Sequence, residues 1–105
     1  MCQSITLSSK GNTTISYCGK CQTHYIWQNS YVLSFTPFQY NSFVQDIKKR
    51  VGEEEFLIFP DGEERMLLAT PLPEMFFTFS NDDWQNFIAS LDEAYYMREV
   101  YKIIN

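Results

Sequence analysis

The chain has 105 residues, of which 45% are hydrophobic, 17% aromatic and 20% charged, with a formal net charge of −5. That length suits one domain over 1–105, and the apolar fraction can fill a core, which excludes a disordered composition. The acidic balance argues against nucleic acid as the main partner, and no run approaches the ~20 apolar residues that span a bilayer.

The opening Met1-Cys2-Gln3-Ser4 has no basic region followed by an apolar run, so a cytoplasmic location is expected, with the cysteines reduced. Three cysteines also suit a disulfide framework poorly, being an odd number. Ile5-Thr6-Leu7-Ser8 reads as a first strand that pairs across Ser9-Lys10-Gly11-Asn12 with Thr13-Thr14-Ile15-Ser16-Tyr17. Cys18-Gly19-Lys20-Cys21 then forms a turn into Thr23-His24-Tyr25-Ile26-Trp27, and Gln28-Asn29-Ser30 leads to a strand from Tyr31. Thr36, Pro37 and Gln39 have the spacing of a helix N-cap, a first-turn proline and a capping box. The helix they open should end near Gly52, and its last basic run, Lys48-Lys49-Arg50, complements the helix dipole.

The second half reads in the same order. Phe56-Leu57-Ile58-Phe59 and Arg65-Met66-Leu67-Leu68-Ala69 flank the turn signal Pro60-Asp61-Gly62-Glu63. Thr70-Pro71-Leu72-Pro73-Glu74 interrupts the ladder before a strand at Met75–Ser80. Ser80 can cap a second helix, with Asp82 and Asp83 in its first turn. The end of the chain is too apolar to sit mostly in water. It either continues this helix to about Ile103 or forms a short strand over Val100–Ile104, and it packs on the core or on a second subunit.

An offset of 44 residues relates the two halves without a gap. Tyr31–Thr36 falls on Met75–Ser80, and Tyr40, Phe43, Val44, Ile47 and Val51 fall on Trp84, Phe87, Ile88, Leu91 and Tyr95. The spacing 0, 3, 4, 7, 11 is one apolar helix face. The expected fold is therefore α+β, with antiparallel sheets and two helices in two tandem β-β-β-α units, over about 12–52 and 55–105.

Chemistry points first to the cysteines. Cys18-x-x-Cys21 on a turn can grip one zinc ion with two thiolates. Cys2 and His24, the sole histidine, are the remaining candidates for a Cys3His site. Strand alternation opposes this, because it sends Cys21 and His24 to opposite faces. The corresponding turn of the second half has no metal-ligand spacing. A Cys18/Cys21 redox pair is the thiol alternative, although the motif leads into a strand rather than the helix N-terminus that lowers a thiol pKa. The acidic clusters Glu53-Glu54-Glu55 and Asp82-Asp83 lack the periodicity of a calcium loop. With one histidine and no Gly-rich phosphate loop, neither a serine-type triad nor a nucleotide site is supported. Tyr25, Trp27, Tyr31 and Phe35 can line one side of the first sheet, and an apolar cleft between the halves is a further candidate site.

Met1-Cys2, Tyr17-Cys18-Gly19-Lys20-Cys21 and Trp27–Phe35 together resemble a family of short uncharacterised bacterial proteins, over residues 1–47. Those proteins have a cysteine near the start and a cysteine pair ahead of an aromatic-Asn hairpin, then a strand and an amphipathic helix. The resemblance implies no activity. It does imply that Cys2, Cys18 and Cys21 act as a set.

The sequence thus favours a non-enzymatic binding or interaction module, with a structural zinc site on Cys2, Cys18, Cys21 and His24 as the candidate metal. The alternatives are a metal-free homodimer that binds a partner protein or an apolar ligand through aromatic surface, and a thiol redox sensor. Neither nucleic acid nor a membrane is expected as a partner.

Overall fold

The computed structural model describes residues 3–104, arranged as two antiparallel sheets and two helices. Strands β1 (Ile5–Lys10), β2 (Thr13–Cys18), β3 (Thr23–Gln28) and β4 (Tyr31–Phe35) form a four-stranded meander in sequence order. Helix α1 (Pro37–Arg50) follows. Strands β5 (Leu57–Ile58), β6 (Glu64–Ala69) and β7 (Phe76–Phe79) form the smaller sheet, and helix α2 (Asn81–Ile104) ends the chain. This is the expected α+β order of a tandem β-β-β-α arrangement. The first strand is longer than expected, and β5 is only two residues long.

Local chemistry accounts for the element ends. At α1, the Gln39 amide donates to Thr36 Oγ1 and the Thr36 amide donates to Gln39 Oε1, completing the capping box, with Pro37 in the first turn. Gly52, at φ +90°, lies just beyond the C-cap residue Val51 in the left-handed conformation that stops a helix. At α2, Ser80 Oγ accepts from the Asp83 amide. Between β1 and β2 the chain reverses at Gly11, at φ +57°, where an added Cβ would collide with the Asn86 side chain.

The repeat is visible in burial. Phe35 and Phe79, Tyr40 and Trp84, Phe43 and Phe87, and Ile47 and Leu91 are all buried in one core cluster. Phe43 touches Phe35 on one side and Phe77 and Phe87 on the other, so rings from both halves share one interior. Helix α1 packs on β3 and β4, whereas α2 packs on β1, β2 and β7. A register shift in β1 turns both Leu7 and Ser8 inward, and Ser8 Oγ donates to the Ser90 carbonyl of α2 at 2.8 Å. The Lys10–Glu93 ion pair at 3.1 Å joins the same two elements.

The end of the chain is helix, one of the two forms expected for it; Met97 and Tyr101 pack against the core, whereas Tyr95, Tyr96, Ile103 and Ile104 are exposed. One expectation needs correction: the four aromatics expected on one side of the first sheet are divided. Tyr25 pairs with Ser34, while Phe35 pairs with His24, so Tyr25 and Trp27 face away from the helices and Phe35 faces the core.

Candidate functional site: a cleft between the helices

Strand pairing fixes which side chains share the core face of the first sheet. Tyr17 pairs with His24 and Ile15 with Ile26, so His24 points inward beside Ile26, under the helices. Cys18 pairs with Thr23, one position on, and lies on the opposite face. His24 is only 2% exposed. Its ring stacks on Tyr40 of α1, with centroids 3.7 Å apart and an interplanar angle of 7°. The Tyr17 ring lies against the same imidazole, with centroids 4.6 Å apart and tilted by 48°. The Arg98 guanidinium of α2 sits over the Tyr17 ring at 4.5 Å, and its Nη2 donates to the Tyr17 hydroxyl at 3.4 Å.

His24, Tyr40 and Arg98 of this group line a cleft of about 500 Å³ between α1 and α2. Val44, Ile47, Ile88, Leu91 and Ala94 supply its apolar surface, and Asn41 and Gln45 add neutral polar groups. The volume suits a small molecule, and the lining mixes apolar with polar side chains. Lys48, Asp92 and Glu99 also line the cleft, and Glu99 accepts from Lys102 at 3.4 Å. Two buried nitrogens here have no hydrogen-bond partner, His24 Nδ1 and Arg98 Nε. Burial, reinforced by the positive charge of Arg98, lowers the His24 pKa to about 4, so the imidazole is neutral near pH 7. Burial pushes the Tyr40 phenol up to about 12, against the opposing pull of Arg98, and keeps it protonated.

The register identifies what the second half places at the position of His24. His24 pairs with Phe35, Met66 pairs with Phe79, and Phe35 and Phe79 are equivalent in the repeat. Buried Met66 is therefore the counterpart of His24. The gapless offset conceals this, because the β6–β7 connection is two residues longer, counted between paired positions, than the β3–β4 connection.

The expected metal set is dispersed differently. Cys18 is buried at the end of β2, on the face away from His24, and is disulfide-bonded. Cys21 is exposed in the turn that follows. Cys2 lies outside the described residues. Among the described residues no three His, Cys, Asp or Glu side chains are grouped so as to hold a metal ion. His24 thus belongs to the cleft rather than to the cysteine turn.

Arg98 is the functional candidate that sequence reasoning missed. Its signal was present: Trp84, Phe87, Leu91 and Ala94 follow spacings of 3, 4 and 3, and the next step of 4 lands on Arg98. A cation on a buried stripe is the same kind of departure as a histidine on a buried strand face. Among the described residues, no helix is long and apolar enough to cross a membrane. A scan against protein-family models and searches of curated proteins and of solved structures give no match for this chain.

Proposed function

We propose that this protein is a small non-enzymatic binding module that takes an apolar small molecule in the cleft between its helices. The observation that carries the reading is His24. At a core position where the repeat has Met66, the chain holds an imidazole whose Nδ1 is buried without a partner on the wall of a cleft. Such a group costs about 1–3 kcal/mol of stability. A recognition role accounts for keeping it.

The uncharged fluorophore N-phenyl-1-naphthylamine tests the cleft directly. Saturable binding of one molecule per chain is expected, lost in Val44→Trp, which fills the cleft, while the thermal midpoint is retained. Equal binding to V44W, or none to the native chain, would refute the reading.

A second reading rests on α2, where Tyr95 and Ile103 are 72% and 83% exposed and Tyr96 and Ile104 lie beside them. A second copy of this chain would cover that surface, giving the homodimer expected from the sequence. Light scattering after size exclusion checks it, with twice the mass of 12.4 kDa as the supporting result. A zinc site on Cys2, Cys18 and Cys21, with water rather than His24 as the fourth ligand, remains a separate proposal. It requires reduction of the Cys18 disulfide to the thiolate, and about one zinc per chain by elemental analysis.

A further inference from the structure

Resting on the cleft-binding reading, we infer that the ligand is an amphipathic acid. Its carboxylate or similar anionic group would be held by Arg98 and His24 on the cleft lining, and its apolar body would lie between α1 and α2. Arg98 is oriented by Tyr17 through its ring face and its hydroxyl, yet its Nε has no partner. Tyr17 thereby positions the guanidinium without neutralising it. No ion pair among the described residues engages Arg98, and the paired carboxylates hold other cations: Asp61 with Arg65, Glu93 with Lys10 and Glu99 with Lys102. An arginine in this setting retains its charge and offers the planar donor fork that matches a carboxylate.

His24 completes the match. A neutral imidazole has one donor nitrogen, and with the proton on Nδ1 it donates to an anion that Arg98 also contacts. His24 of β3 and Arg98 of α2 both line this cavity, and each has a buried nitrogen without a partner that can act as donor. One acidic group can satisfy both. Asp92 and Glu99 on the lining oppose an anion and Lys48 favours one. Glu99 is engaged by Lys102, and Arg98 is in contact with the Tyr17 ring of the stack. Val44, Ile47, Ile88 and Leu91 then call for an apolar body on the same molecule, which a free inorganic anion lacks.

The test uses 4-phenylbutanoate and 4-phenylbutanol as a matched pair, titrated into the full chain and followed by nitrogen-15 NMR. The acid should bind about tenfold or more tightly than the alcohol, with shifts centred on Val44, Leu91 and Arg98. Arg98→Met, which keeps an unbranched stem, should erase that preference by weakening the acid more than the alcohol, and Arg98→Lys should restore part of it. Should R98M fail to fold, Arg98→Gln is scored by the same outcomes. Equal binding of acid and alcohol, with no effect of R98M, overturns the acidic-ligand inference and leaves cleft binding standing. Acid shifts centred outside the cleft, or no acid binding while N-phenyl-1-naphthylamine binds, also overturn it. Failure of that fluorophore as well overturns the reading beneath it.

Discussion

The two halves carry helices with the same buried stripe, yet α1 stops at Arg50 while α2 continues to Ile104. The repeat ends at the pair Val51 and Tyr95. Val51 is followed by Gly52 in a left-handed conformation, whereas the helix continues beyond Tyr95 to Ile104. That extension delivers Arg98, for which α1 has no helical counterpart. The strands differ in the same way, with His24 in the first sheet where the second has Met66. The repeat builds the core and much of the cleft wall, and the departures from it add His24 and Arg98 to that wall.

The largest test of this contrast lies in the shared positions. Phe35→Ala and Phe79→Ala should each lose about 3–5 kcal/mol in urea unfolding, because both rings are fully buried. Phe79 should cost at least as much, since it meets Phe77, Trp84 and Phe87, whereas Phe35 meets Tyr40 and Phe43. A markedly smaller loss for F79A would break the equivalence.

His24→Met makes the first half resemble the second. The folded pKa of about 4 lies below the unfolded value near 6.5, so the unfolded chain binds more protons between them. Native stability should therefore be full above pH 6.5 and fall as the pH drops through this window, by on the order of 3 kcal/mol. H24M should remove that pH dependence and raise stability at pH 5. In R98M the His24 pKa, followed by its ring proton shifts, should rise but stay below 6.5, because burial is the larger cause of its depression. A His24 pKa that stays near 4 would remove Arg98 from its surroundings.

The smallest effects come from the caps. Thr36→Ala and Ser80→Ala should each cost about 1 kcal/mol, read from chemical denaturation. T36A should cost slightly more, because only Thr36 has a reciprocal partner, Gln39. Equal and negligible losses would show that packing alone sets both helix starts.

The caps, the meander, the turn at Gly11 and the shared register of the helices were legible because each depends on residues close in sequence. Thr36, Pro37 and Gln39 state a helix start in four positions, and the buried faces follow from periods of 2 and 3.6. The strand alternation that separated Cys21 from His24 was legible for the same reason, and the structure sets Cys18 apart from His24 by that rule. The cleft was not legible as a site. His24 invited a metal because cysteines lie near it in sequence, but its neighbours in space come from β2, α1 and α2. Nothing local tells that Tyr17, Tyr40 and Arg98 converge on one imidazole across 81 residues from Tyr17 to Arg98. The sequence by itself determined the elements and their inward faces, since local propensity and periodicity act along the chain. Tertiary structure alone decided which inward polar groups meet and how deeply they are buried. It therefore also decided the charge state of His24, because desolvation and the field of Arg98 exist only once the helices have docked on the sheet.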